Sequence, residues 1–201
     1  MEERLIKVGI THGDINGIGY EVILKTFSDA RVAELCTPVI YGSSKIAAYH
    51  RKALELPPVN MNIISQAEDA GINRVNIINC VDDETKVELS QSTSIAGEAA
   101  FLALEAAVTD LKRGAVDVLL TAPINKHNIQ NDQFHFPGHT EYLEERFGGV
   151  GRKALMILMK DGLRVALVTG HIPLAEVPSR ITVEDIVSKL RIFNQSLKQD
   201  F

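Results

Sequence analysis

Two Gly-His turns contain the residues best suited to chemistry in this sequence. The first is Pro137-Gly138-His139-Thr140 and the second is Thr169-Gly170-His171. His139 is predicted to open a helix, where free backbone N–H groups and the Thr140 hydroxyl attract a phosphate or a carboxylate. His171 is predicted to follow a strand, where a neutral imidazole can bind a divalent metal or exchange a proton. A hydrogen-bonded structural role is the alternative for each histidine.

Two further loops are predicted at the carboxyl ends of buried strands, the edge where α/β proteins bind ligands. Residues 11–19 are rich in glycine, which permits close backbone approach, and they include Asp14. Residues 121–126 end in Lys126, whose compact charge can hold a carboxylate or phosphate. The alternatives are a glycine-rich turn needed only for folding and an ordinary solvated lysine.

The remaining histidines have no comparable pairing, so we expect His12, His50, His127 and His135 to be structural or solvent-exposed, with His50 on a polar helix face. The sequence lacks the motifs GxGxxG, GxxxxGK[ST], HExxH and GxSxG. One histidine cannot form a metal site, so the other ligands must lie elsewhere. The catalytic base and the cofactor-binding residues stay unassigned.

The elements that position these loops alternate between strands and helices. Buried apolar runs predict strands at residues 5–10, 38–41, 60–65, 74–81, 116–120, 154–159 and 164–169. Helical spacing of apolar residues predicts helices at 20–27, 44–56, 93–113 and 139–147 and from 182 onward. This alternation indicates an α/β fold with a mostly parallel sheet.

Composition narrows the class of protein. A net charge of -5 argues against binding to nucleic acid, which requires clustered basic residues. The longest apolar runs fall well short of the roughly 20 residues that span a bilayer. The acidic N-terminus does not resemble a signal peptide, so we expect a cytoplasmic protein without a membrane partner. Cys36 and Cys80 are isolated, and we expect both to be reduced.

Five motifs together resemble the 4-hydroxythreonine-4-phosphate dehydrogenase family of vitamin B6 synthesis. They occur in the family's order along the whole chain. The first loop departs from the family pattern Gly-Asp-Pro-Ala-Gly-Ile-Gly-Pro-Glu by having Ile15, Asn16 and Tyr20. The motifs are Gly13-Asp14-Ile15-Asn16-Gly17-Ile18-Gly19-Tyr20-Glu21, Ser94-Ile95-Ala96-Gly97, Thr121-Ala122-Pro123-Ile124-Asn125-Lys126, Pro137-Gly138-His139-Thr140-Glu141 and Gly170-His171-Ile172-Pro173-Leu174.

The resemblance implies an isocitrate/isopropylmalate dehydrogenase-like fold with two lobes, in a homodimer whose active site lies near the subunit interface. It also implies a reaction, in which NAD or NADP oxidises 4-phosphooxy-L-threonine at C3. The resulting keto acid then loses carbon dioxide and gives 3-amino-2-oxopropyl phosphate. A divalent metal, either zinc, magnesium or cobalt, would assist by polarising the hydroxyl.

The resemblance also assigns residue roles. His139 and Thr140 match a substrate-binding pair, and His171 matches the first of three metal-binding histidines. The implied lobes are residues 1–130 and the start of a second lobe at 131–201. We expect the family's other two histidines to lie beyond Phe201, so that the isolated chain is inactive.

Three alternatives remain open. The first is a paralogous dehydrogenase acting on 4-phospho-D-erythronate or 4-phospho-D-threonate, whose motifs are nearly the same. The second is an enzyme resembling phosphate acyltransferases, which would need neither a nicotinamide nor a histidine metal site. The third is an inactive lobe that binds at most phosphate.

Overall fold

The computed structural model describes residues 5–149 and 153–200. The chain divides into two compact units, Met1–Phe147 and Gly148–Phe201, which are described separately below. No helix among the described residues is long and apolar enough to cross a membrane.

A five-stranded parallel sheet forms the centre of the first unit. Its strand order is β3-β4-β2-β1-β5, with β4, β2 and β1 inside the sheet. The central strand β2 is buried along its whole length, as its continuous apolar run predicts for a parallel strand covered on both faces. The predicted α/β class and mostly parallel sheet are therefore confirmed. The strands are β1 (Lys7–Thr11), β2 (Thr37–Gly42), β3 (Met61–Ile64), β4 (Val75–Asn79) and β5 (Val118–Thr121).

Five α-helices lie among the described residues of the same unit, and α4 is the longest of them. The Thr93 side chain caps α4 by accepting a hydrogen bond from the N–H of Ala96. Alanines fill its buried face, and Ala103 and Ala107 pack against Val39 and Tyr41 of β2. The helices are α1 (Gly19–Phe27), α2 (Val32–Leu35), α3 (Ser44–Ala53), α4 (Ser94–Lys112) and α5 (His139–Phe147).

An aromatic cluster joins α5 to the first unit. Phe134 and Tyr142 are buried against Phe101 and Leu104 of α4. The predicted lobe boundary after residue 130 therefore differs from the division between the compact units, which lies after Phe147. The boundary predicted from the sequence did not take into account that these aromatic rings are buried against α4. The proposed lobes of a whole two-lobed protein stay a prediction.

The second unit begins with an antiparallel hairpin. Its strands β6 (Ile157–Lys160) and β7 (Leu163–Ala166) are joined by Asp161-Gly162, a typical hairpin turn sequence. Both strands are shorter than predicted, and they form their own two-stranded sheet. Two α-helices follow among the described residues, the short α6 (Val177–Arg180) and α7 (Val183–Gln199), which is capped by the Thr182 side chain.

Candidate functional site

The carboxyl ends of β1 and β5 lie side by side, and hydrogen bonds join the loops that follow them. The N–H of Ala122 donates to the carbonyl oxygen of Thr11 at 3.1 Å, and the N–H of Asp14 donates to that of Pro123 at 2.9 Å. After β1 the chain passes to β2 on one side, whereas β5 lies on the other side of β1. Such a reversal opens a crevice where α/β proteins bind ligands. This edge of the sheet is therefore the candidate site.

Two glycines allow the loop after β1 to make its turn. Gly13 has φ +70°, and a Cβ atom there would stand 2.2 Å from the carbonyl oxygen of Pro123. A Cβ atom on Gly19 would stand 1.9 Å from the carbonyl oxygen of His12. Both glycines permit close approach between segments of the protein's own backbone. The close packing of the fold is thus sufficient reason for glycine at both positions.

Asp14 lies at the candidate edge, where the sequence analysis placed it, and is 8% exposed. Its carboxylate accepts hydrogen bonds from the N–H of Asn16 at 2.8 Å and from the side-chain amide of Asn128 at 3.4 Å. Asn16 is itself held, because its Nδ2 donates to the hydroxyl of Thr93 and its Oδ1 accepts from the N–H of Glu88. Three chain segments therefore fix the Asp14 carboxylate. Its part in ligand binding stays a prediction.

Asn125 organises the loop after β5. Its Oδ1 accepts hydrogen bonds from the backbone N–H groups of His127 at 2.9 Å and Asn128 at 3.3 Å, which forms an Asx turn. Its Nδ2 donates to the hydroxyl of Ser92 at 3.1 Å. Sequence analysis missed Asn128, since its contact with Asp14 spans 114 residues and no local pattern marks such a pair.

Lys126, His139 and Thr140 are brought together at the start of α5. A Cβ atom on Gly138 would stand 3.7 Å from the Oε2 of Glu141 and 3.9 Å from the Nζ of Lys126, so a carboxylate and an ammonium group both lie beside the first turn of the helix. Burial, and then the charge of Lys126, lower the pKa of His139. Its imidazole is therefore neutral at pH 7, and its buried Nε2 has no hydrogen-bond partner among the described residues. Thr140 is exposed on the same turn.

Apart from the Glu141 carboxylate, the groups at this turn suit an anion. The N-terminal N–H groups of a helix and a lysine ammonium both attract phosphate or carboxylate. The Thr140 hydroxyl and the free Nε2 of His139 add two groups that form hydrogen bonds. Anion binding at the predicted Gly-His turn stays a prediction.

A buried stack of three rings lies at the loop after β1. It consists of His12 in that loop, Tyr20 of α1 and His50 of α3. Ring centroids lie 5.1 Å apart for His12 and Tyr20, and 5.2 Å apart for Tyr20 and His50. Burial lowers the pKa of His12 to about 4 and also lowers the pKa of His50. The Nε2 of His50 lies 2.7 Å from the carbonyl oxygen of Ile15. The prediction that His50 lies on a polar helix face is wrong. The side of α3 that carries His50 packs against the loop after β1, and His50 is only 1% exposed.

His171 lies in the second unit and is exposed. The predicted strand before it ends at Ala166, so a segment of irregular backbone separates His171 from β7. Within residues 5–149 and 153–200, no group of three or more His, Cys, Asp and Glu side chains could hold a metal ion. His171 therefore offers one ligand at most, and its metal-binding role stays a prediction.

Comparison with protein families finds a match over residues 34–201 to the family described as pyridoxal phosphate biosynthetic protein PdxA. A relative from Bacteroides thetaiotaomicron, named 4-hydroxythreonine-4-phosphate dehydrogenase, is 60% identical over 201 residues, which is 100% of this chain and 55% of the relative. A relative of the same name from a Sulfurihydrogenibium species is 39% identical over 98% of this chain and 59% of its own length.

A solved structure supports the same relationship. The crystal structure of a 4-hydroxythreonine-4-phosphate dehydrogenase from Burkholderia phymatum matches this chain with a TM-score of 0.85 and 28% sequence identity. The match covers 97% of this chain and 59% of that one. The chain thus spans 55% to 59% of the length of the relatives described here.

Proposed function

We propose, on the premise that this chain belongs to the family of the pyridoxal phosphate biosynthetic protein PdxA, that it takes part in the NAD(P)-dependent oxidation of 4-phosphooxy-L-threonine. The observation that carries the proposal is the cluster of Lys126, His139 and Thr140 at the start of α5. The names of the relatives supply the substrate, and this cluster supplies a place for its phosphate.

The proposed reaction has two steps. Hydride passes from C3 of the substrate to NAD or NADP, while the C3 hydroxyl loses its proton. The product of this step is a 3-keto acid, which loses its carboxylate as carbon dioxide and takes up a proton at C2. The final products are 3-amino-2-oxopropyl phosphate, carbon dioxide and the reduced nicotinamide.

The start of α5 would bind the phosphate group of the substrate. The backbone N–H groups and the Lys126 ammonium would attract its negatively charged oxygens. The lowered pKa of His139 keeps this side chain neutral, so it adds a hydrogen bond without a second positive charge. The Thr140 hydroxyl lies on the exposed side of the same turn, where it can donate to a phosphate oxygen.

The proposal further includes a divalent metal, zinc, magnesium or cobalt, which would supply a Lewis acid for the C3 oxygen. His171 is proposed as one ligand. The described residues offer no cluster of three ligands that would complete the site. The other ligands would therefore have to come from outside the described residues. We also propose that the protein is a homodimer whose active site lies near the subunit interface. We propose the cytoplasm as its location.

Isothermal titration of the 201-residue chain tests the phosphate site. We expect the chain to bind 4-phosphooxy-L-threonine, and to bind L-threonine at least about tenfold more weakly, since a charge-assisted phosphate contact contributes more than about 1.4 kcal/mol. His139→Ala should weaken binding of the phosphorylated ligand, whereas His135→Ala, which replaces an exposed histidine outside the cluster, should not. Equal affinity for the two ligands would contradict the proposal.

A further inference from the structure

We propose that Glu105 of α4 is a positioning residue that sets the orientation of α5 and hence of its ligand-binding first turn. It acts through two side chains of α5, Tyr142 and Arg146. The inference rests on the proposed function, in which His139 and Thr140 bind the substrate phosphate.

Both carboxylate oxygens of Glu105 are used in bonds to α5. The Tyr142 hydroxyl donates to Oε2, and the Nη2 of Arg146 donates to Oε1. Tyr142 and Arg146 lie three and seven residues after His139, so one face of α5 carries both of them. One side chain of α4 thus holds two successive turns of the helix that begins at the proposed phosphate site.

Apolar packing also holds this helix, through Tyr142, Leu143 and Phe147. Tyr142 is the only buried residue of α5 and is 2% exposed. Its ring packs on Phe134 and Phe136 at centroid distances of 5.3 Å and 5.5 Å. The guanidinium carbon of Arg146 lies 5.9 Å from the centre of the Tyr142 ring. Loss of the Glu105 contacts would leave the direction of the helix to packing, chiefly that of Tyr142, Leu143 and Phe147.

There is also space for α5 to move. A cavity of about 280 Å³ borders Glu105, Tyr142 and Arg146. Side chains in a tightly packed core resist displacement, whereas side chains beside a cavity can shift into it. The Glu105 contacts therefore restrain the side of the helix that borders this cavity.

The protonation of Tyr142 supports its part in this arrangement. Burial, the hydrogen bond to Glu105 and the negative charge of Glu105 all raise the pKa of the Tyr142 phenol. The phenol therefore stays protonated at neutral pH and keeps donating to the carboxylate.

Titration of the 201-residue chain with 4-phosphooxy-L-threonine tests the inference. Glu105→Gln and Tyr142→Phe should each weaken binding by about three- to tenfold, the usual range for coupled residues. Tyr142→Phe keeps the ring and its packing, so it reports on the hydrogen bond even if Glu105→Gln unfolds the protein. Glu98→Gln, a change of the same kind two turns earlier on α4, should leave the affinity unchanged.

A double-mutant cycle separates positioning from general loss of structure. If Glu105 acts through the first turn of α5, then Glu105→Gln should weaken binding less in a His139→Ala background than in the unchanged chain. The same loss in both backgrounds would overturn the inference. If His139→Ala weakens binding and neither Glu105→Gln nor Tyr142→Phe does, the inference alone fails. If His139→Ala has no effect, the proposed function fails together with the inference.

Discussion

The carbonyl oxygen of His12 occupies the space that a Cβ atom on Gly19 would need, because only 1.9 Å separates the two positions. A Cβ atom on Gly17, two residues earlier in the same loop, would lie 3.4 Å from its nearest neighbour, the carbonyl oxygen of Asp14. An added methyl group should therefore destabilise the fold much more at Gly19 than at Gly17.

Gly19→Ala should lower the free energy of unfolding by at least about 2 kcal/mol, since rigid backbone blocks the added methyl group. Gly17→Ala is the matched control and should change it by less than about 1 kcal/mol. The chain has no tryptophan, so urea unfolding is followed by circular dichroism. Equal changes in the free energy of unfolding would contradict this prediction, since they would mean that the backbone around Gly19 shifts to make room for the methyl group.

His12 makes stability depend on pH. Its pKa is about 4 in the folded protein because of burial, against an ordinary value of 6.5. Between these values the unfolded chain binds more protons than the folded one, so stability falls as the pH falls from 6.5 toward 4. One proton corresponds to a slope of about 1.4 kcal/mol per pH unit. The burial of His50 acts in the same direction.

His12→Phe removes this ionisation and keeps an aromatic ring on Tyr20. The loss of stability between pH 7 and pH 5 should therefore be smaller in the variant, by up to about 2 kcal/mol. Urea unfolding of both proteins at the two pH values measures the difference. An unchanged pH dependence would mean that His12 takes up a proton in the folded protein as readily as in the unfolded chain.

Asn125→Ala should loosen the loop that carries Lys126. The substitution leaves the N–H groups of His127 and Asn128 without their acceptor. Their amide hydrogens should then exchange with solvent faster, as measured by hydrogen exchange and NMR. Asn125→Asp retains an acceptor oxygen and should preserve most of the protection. Equal exchange rates in all three proteins would contradict the role given to this side chain.

Lys126→Gln should raise the pKa of His139. Burial is the larger cause of its lowered pKa and persists, whereas the repulsion from the Lys126 ammonium is lost. An NMR titration of the His139 ring protons measures the change. Lys86→Gln, at an exposed lysine paired with Glu88, serves as the control. If the pKa of His139 does not move, the ammonium group does not act on the start of α5 as the structure indicates.

Local patterns predicted much of the fold. The helix at His139–Phe147 has the bounds expected from sequence. The edge formed by the loops after β1 and β5 follows from the rule that the carboxyl ends of parallel strands bind ligands. Such features depend on neighbours within a few residues of one another.

Features that depend on distant partners were not predicted. Asp14 and Asn128 meet across 114 residues, and Glu105 and Tyr142 across 37. No spacing rule applies at such separations. The hairpin of β6 and β7 was missed for a different reason, since the turn signal Asp161-Gly162 was outweighed by the general pattern of alternating strands and helices.

The most direct test of the central claim is an activity assay on a chimera. This chain would replace the matching segment, 55% of the length, of the Bacteroides thetaiotaomicron relative. The account predicts reduction of NAD or NADP with 4-phosphooxy-L-threonine, faster than with 4-phospho-D-threonate, and a large loss of activity on His139→Ala. A folded chimera that turns over only 4-phospho-D-threonate, or neither compound while the parent relative is active, would contradict it.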